Sequence, residues 1–266
     1  MANVRTMIVV WLSAIGLASA AVAALLAVPP LPQMTFQPPP FAVIIGSSLV
    51  GAAFPAEYRA SALFPDSVQG DRIIRISQPY LSEPGIVNLL HRAAEGGVRK
   101  VLIQVDPLLR TYRFQQEPSG IAAFSNRLRL AVLDGTGFAS PLLEAPDARV
   151  YDGDTRDLAA NFYTARAHSP RNLSALRNAL AAAKRNGTEV IWIAMPRTQT
   201  AAEFLGPSFE IAFAGELKKF ANRFSAVVWR PARSWPNELF VDQAHMNEGG
   251  RARFVNELSR FLSTPR

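Results

Sequence analysis

Short apolar runs alternate with amphipathic stretches along much of the chain. Phe41 to Ile45 is apolar throughout and ends at Gly46, which predicts a short strand buried on both faces. Arg72 to Ile76 predicts a second, shorter strand. From Glu83 to Glu95, the residues Ile86, Leu89, Leu90 and Ala93 fall at helical spacing, and Gly96-Gly97 ends the pattern. Val98 to Val105 holds a third strand. Leu173 to Lys184 is an Ala/Leu-rich helix stopped by Asn186-Gly187. Glu189 to Met195 predicts a fourth strand, ended by Pro196. Phe209 to Phe220 predicts a helix and Ala226 to Trp229 a fifth strand. The last helix runs from Asn247 to Leu262, with Phe254, Leu258, Phe261 and Leu262 on one face.

Apolar strands alternating with amphipathic helices predict a three-layer α/β/α domain around a mainly parallel sheet, because only a sheet covered on both faces carries such uniformly apolar strands. In these folds ligands bind beyond the carboxyl ends of the strands. The residues to inspect are therefore Gly46-Ser47-Ser48, Ser77-Gln78, Gln104, Asp106 and Arg197-Thr198. Leu108 to Asn172 is the least regular stretch. It is expected to be an insertion over the sheet edge, with one helix near Ile121 to Val132.

The N-terminal pattern is different. Met7 to Val28 carries no charge and would span about 33 Å as a helix, close to the ~30 Å hydrocarbon core of a bilayer. Arg5 precedes it and no Lys or Arg follows until Arg59. The positive-inside rule then places the remainder of the chain on the extracytoplasmic side. Ala18-Ser19-Ala20 has the form of a signal-peptidase site, but the apolar run continues past it to Val28, so an uncleaved single-pass anchor is expected. Pro29, Pro30, Pro32, Pro38, Pro39 and Pro40 make the next segment an extended spacer. The expected organisation is a stub and anchor over 1–28, a linker over 29–40 and one domain over 41–266.

Composition narrows the chemistry. Of 266 residues, 49% are hydrophobic, enough for a sizeable core. The absence of Cys removes disulfides, thiolate nucleophiles and Cys-ligated zinc. With three histidines in the chain a His-rich metal site is not expected, nor is any other metal or cofactor. Asp152, Asp154 and Asp157 do not follow calcium-loop spacing. The net charge of +7 comes from singly scattered Lys and Arg, without the motifs of nucleic-acid readers, so no nucleic-acid partner is expected. No G-x-G-x-x-G or phosphate-binding loop supports a nucleotide.

Two motifs carry reactive groups. The first strand ends in Gly46-Ser47-Ser48. Serine at a strand-to-helix turn serves as a helix N-cap or as an exposed nucleophile. Near the other end, Asp242-Gln243-Ala244-His245 stands just before the last helix. A serine hydroxyl needs a base to remove its proton, and the base needs a third group to hold its tautomer. Each motif alone also has an ordinary structural explanation, as a cap or a surface histidine.

The pair, in this order, resembles the SGNH (GDSL-like) hydrolase superfamily over roughly Phe41 to Leu262. The segment DQAHMNEG, Asp242 to Gly249, is especially similar to membrane-linked members associated with envelope-polysaccharide O-acylation. The resemblance implies a flavodoxin-like three-layer fold with Ser48 as nucleophile, His245 as base and Asp242 as its orienting carboxylate. It implies a serine esterase or O-acyltransferase acting on an acylated envelope glycan or small ester, beside a membrane-bound O-acyltransferase partner. Two departures stand out. Ser47 replaces the Asp of G-D-S, and the strand ending Gln104-Val105-Asp106 lacks the Asn that donates to the oxyanion. Ser77, Gln78, Gln104, Asp106 and Arg197 are the candidates for oxyanion or substrate contacts. The alternative is a non-catalytic SGNH scaffold that binds a glycan or the membrane acyltransferase.

Overall fold

The structure is a computed structural model that describes residues 39–54, 57–59, 63–64, 67, 71–77, 81–111, 149–155, 158 and 166–264. The expected anchor over Met7 to Val28, most of the proline-rich linker and the helix expected near Ile121 to Val132 lie outside the described residues. No helix among the described residues is long and apolar enough to cross a membrane.

In chain order the elements are β1 (Ala42–Gly46), α1 (Ser48–Ala53), β2 (Glu57–Arg59), β3 (Arg72–Ser77), α2 (Glu83–Glu95), β4 (Lys100–Gln104), α3 (Asp106–Leu109), β5 (Arg110–Thr111) and β6 (Arg166–Ala167). They continue with α4 (Leu173–Arg185), β7 (Glu189–Ile193), β8 (Arg197–Thr198), α5 (Gln199–Phe224), β9 (Val227–Trp229), β10 (Ser234–Trp235), a 3-10 turn (Asn237–Leu239) and α6 (Glu248–Ser263).

The main sheet has six strands in the order β2-β3-β1-β4-β7-β9. Five are parallel, and the edge strand β2 runs antiparallel to β3. Strand parity sorts the core into two layers. Val43 and Ile45 of β1, with Val101, Ile103 and Trp192, face Ile86 and Leu90 of α2, Leu176 of α4 and Phe213 and Phe220 of α5. Ala42 and Ile44, with Leu102, Ile191 and Ile193, face Val50 and Phe54 beside α1 and Phe254 and Leu258 of α6. Successive residues of β1 thus point into opposite cores and all are buried, which explains the unbroken apolar run in the sequence.

The helix expected over Phe209 to Phe220 is longer. Thr198 caps it, its side chain accepting from Ala201 N, and it breaks at Gly206, whose φ of 72° lies in the left-handed region, before Pro207 continues it. Two small ribbons, β8–β10 and β5–β6, were not visible in the hydrophobic pattern.

Strand β1 sits between β3 and β4, so the chain leaves it to one side and later returns to the other. The connections diverge at the carboxyl ends of β1 and β4, the place where open parallel sheets form a ligand crevice.

Candidate active site

The turn after β1 is shaped by close packing. A Cβ on Gly46 would stand 2.2 Å from Val50 Cγ2 and 2.8 Å from Gln104 Oε1. Only glycine lets β1, α1 and the end of β4 meet this closely. Ser47, extended at φ −80° and ψ −168°, is the N-cap of α1. Its Oγ accepts from Leu49 N at 3.3 Å and donates to Gln104 Oε1 at 2.9 Å, and its backbone N–H donates to the same oxygen at 2.8 Å. A backbone N–H can only donate, so the atom it meets is the amide oxygen, and the amide nitrogen of Gln104 points elsewhere. The two readings of the serine pair divide between its members: Ser47 is the cap, and Ser48, the first residue of α1, keeps its hydroxyl for another partner.

That partner is His245. Its Nε2 lies 2.9 Å from Ser48 Oγ although the residues are 197 apart in the chain. Nδ1 faces Asp242, at 2.8 Å from Oδ2 and 3.1 Å from Oδ1. An ionised carboxylate only accepts, so Nδ1 carries hydrogen, and in the neutral imidazole Nε2 presents its lone pair to the Ser48 hydroxyl. Asp242 Oδ1 also accepts from the backbone N–H groups of Ala244 at 2.8 Å and His245 at 2.7 Å. Burial acts to raise the Asp242 pKa. The His245 ring and these backbone donors outweigh it and hold the carboxyl below its ordinary value. The histidine keeps contact with solvent, its side chain being 24% exposed.

The loop bearing Asp242 and His245 is a closed structure. Val241 N donates to His245 O at 2.9 Å, and Phe240 pairs with Met246 across the loop. Asn247 caps α6 by accepting from Gly250 N at 3.0 Å, and its Nδ2 donates to Glu238 O at 2.7 Å. Gly250 has no room for a side chain, since a Cβ would stand 2.1 Å from Leu239 O. On the far side, Thr198 Oγ1 donates to Gln243 O at 3.2 Å. The Asn and the second Gly of the sequence NEGG are therefore packing requirements of this loop.

The remaining sequence candidates separate. Gln104 is buried beside the turn. Ser77 is aligned with Gly46 across β1 and β3, and its buried hydroxyl has no partner among the described residues. Gln78 lies outside the described residues. Asp106 is tied into the fold: its Oδ2 accepts from Met195 N at 3.0 Å and its Oδ1 lies 2.9 Å from Arg110 Nη2. Arg197, expected as a substrate contact, lies buried in the fold. It pairs with buried Glu210, which also lies 3.2 Å from Arg230 Nη2, and its guanidinium lies 5.2 Å from the ring centres of Phe209 and Phe213. A strand-end arginine does not reveal in sequence whether it turns inward; Glu210, 13 residues on, is the partner that turns it.

Among the described residues no three or more His, Cys, Asp or Glu side chains gather into a metal site. His91 pairs with Glu95 on the surface of α2 at 3.4 Å, and Asp152 caps its own turn by accepting from Asp154 N at 2.9 Å. Sequence reasoning missed Arg75 and Arg251, whose guanidiniums hold the far end of α1: Arg75 Nη1 donates to Gly51 O at 2.7 Å and also to Phe54 O, and Arg251 Nε donates to Ala52 O at 3.0 Å. No hydrophobic or motif signal marks either residue. No protein-family model matches this chain, and no curated protein matches it by sequence.

Proposed function

We propose that this protein is a serine esterase or O-acyltransferase of the SGNH type, with Ser48, His245 and Asp242 as its triad. One observation carries the reading: the hydroxyl of Ser48 stands 2.9 Å from His245 Nε2, while Asp242 occupies the other ring nitrogen. A capping serine and a surface histidine give no reason for that meeting. The strand order around β1 and the crevice it opens beside β4 also suit a flavodoxin-like SGNH domain.

In this mechanism Ser48 Oγ attacks an ester carbonyl as its proton passes to His245 Nε2. Asp242 stabilises the imidazolium. The tetrahedral intermediate collapses, the leaving alkoxide takes the proton from His245, and an acyl-Ser48 ester remains. Water then yields a carboxylic acid, whereas a sugar hydroxyl yields a transferred ester. The backbone N–H of Ser48 is the first oxyanion donor, since that of Leu49 is engaged by Ser47 Oγ. The Gln104 amide nitrogen is the side-chain candidate in place of the absent Asn, because Ser47 fixes its oxygen. Position on the outer face of a membrane, an acylated glycan as substrate and a membrane-bound O-acyltransferase as partner belong to the same proposal. They rest on the apolar N-terminal segment and the likeness of DQAHMNEG to the membrane-linked SGNH proteins.

A serine-directed fluorophosphonate tests the chemistry. The purified full chain should be labelled at Ser48, and Ser48→Ala should abolish labelling. Folded wild-type protein that resists the probe would sink the enzyme reading in favour of the scaffold alternative.

A further inference from the structure

Helix α1 has six residues, too few to hold its own conformation in water. Its surroundings must fix it, and with it the position of Ser48. Three carbonyl groups at its C-terminal end meet cations. Buried Arg75, from β3, donates through Nη1 to Gly51 O and Phe54 O, and Arg251, from α6, donates through Nε to Ala52 O. Guanidiniums at a helix C-terminus satisfy the orphan carbonyls and complement the helix dipole. The two arginines differ in what they join. Arg75 ties α1 to the neighbouring strand. Arg251 ties it to the helix that begins directly after the His245 loop.

We infer that Arg251 is a positioning residue that sets the separation of Ser48 and His245; the inference rests on the serine-hydrolase reading of that pair. Ser48 and Ala52 lie one turn apart on α1, about 6 Å along its axis. His245 and Arg251 lie on the second rigid piece, held together by Asn247, whose carbonyl oxygen accepts from Arg251 N at 2.9 Å, and by the close approach of Gly250 to Leu239. Among the described residues the two pieces meet at two polar points. One is the Ser48–His245 contact at 2.9 Å and the other is Arg251–Ala52 at 3.0 Å. The remaining contact is apolar, with the rings of Phe54 and Phe254 edge to face at 5.3 Å. Apolar burial is non-directional and does not by itself select one register. A bond from one guanidinium nitrogen to one carbonyl does, so it fixes the register of α1 along α6. Arg251 is half-buried.

Arg75 and the Ser47–Gln104 bonds hold α1 to the sheet, so removing the Arg251 bond frees α6 to shift against α1, and a misplacement of about 1 Å at a reacting centre costs about a hundredfold in rate. The chain has three histidines, so ¹⁵N-histidine labelling of the full protein resolves the His245 ring. In Arg251→Met the Nε2 signal should move toward its position in Ser48→Ala, with fluorophosphonate labelling slowed about 10- to 100-fold; Arg251→Lys should restore part of both. Phe254→Leu serves as the control for general loosening. It should lower the melting temperature while leaving the His245 signal and the labelling rate of folded protein in place. A His245 signal in Arg251→Met at its wild-type position overturns the inference, as does an equal displacement in Phe254→Leu. The ring signal reads the Ser48–His245 contact whether or not the probe reacts, so a wild-type chain that resists labelling counts against the enzyme reading alone.

Discussion

Replacing Gly250 with Ala sets two opposed effects against each other. Alanine in place of glycine favours a helix by up to about 1 kcal/mol, and Gly250 lies in the first turn of α6. The added Cβ would stand 2.1 Å from Leu239 O and 3.1 Å from Met246 Cβ. Carbon–oxygen contacts settle near 3.3 Å, so about 1.2 Å has to be made up. Leu239 O cannot simply swing away, because it accepts from Asn247 N at 3.1 Å. The displacement must pass into the start of α6 or into the turn before the loop, and both flank the Phe240–Met246 pairing that frames His245. The Ser48–His245 contact is 2.9 Å, and hydrogen-bond reach ends near 3.2 Å, so the slack is about 0.3 Å against a shift several times larger. Overpacking of this kind costs about 1–3 kcal/mol, which outweighs the helix gain. Gly250→Ala should therefore melt a few degrees lower and label with fluorophosphonate about a hundredfold more slowly. Gly249→Ala is the matched control, because its Cβ would meet Asn247 Oδ1 and Leu239 Cδ2 at an ordinary 3.5 Å; it should label like the wild type. A Gly250→Ala protein that labels at the wild-type rate, or a Gly249→Ala protein equally impaired, would refute the packing argument.

Two further predictions concern charge. The Asp242 carboxyl is held below its ordinary pKa by the His245 ring and backbone donors, against the opposing effect of burial. Its contribution to stability is complete above the unfolded value of about 3.9 and is lost as pH falls through the lower folded value. The gap in melting temperature between wild type and Asp242→Asn should accordingly be constant near neutrality and close below about pH 4; a gap unchanged down to pH 2 would contradict the assignment. Glu210 is the buried carboxylate against which Arg197, Arg230 and Arg233 stand. Glu210→Gln should lose about 3–5 kcal/mol by breaking a buried pair, seen as a fall of roughly 10 °C in thermal unfolding, and Arg197→Met in the same chain should recover part of it.

The centre of the sheet was legible because β1, β4 and β7 are largely buried on both faces and so appeared as apolar runs. Edge strand β2 was not, since three residues, Glu57 to Arg59, carry no periodicity. The start of α5 was misplaced because Gly206-Pro207 reads as a breaker, whereas Gly206 adopts a positive φ that lets two helical pieces join there. At the site, the spacing of Asp242 and His245 was readable because they lie within one loop. Their meeting with Ser48 depends on topology and became testable only with coordinates. Asp106 and Arg197 have the right residue type at strand ends, yet both are spent on internal ion pairs. Nothing in a linear sequence says which way such a side chain turns. The clamps on α1 were invisible for a related reason: Arg251 and Ala52 are 199 residues apart.

The 197-residue separation of Ser48 and His245 also has a consequence in time. A chain made from its N-terminus at about 5–20 residues per second carries Ser48 for roughly 10–40 s before His245 exists. The loop that holds His245 arrives directly before α6, whose Phe254 and Leu258 close the core face behind α1. Until that helix docks, Ser48 has no His245 beside it and α1 lacks the Arg251 bond at its far end. On the proposed serine-hydrolase reading, reactivity therefore arrives only with completed folding, when His245 reaches Ser48.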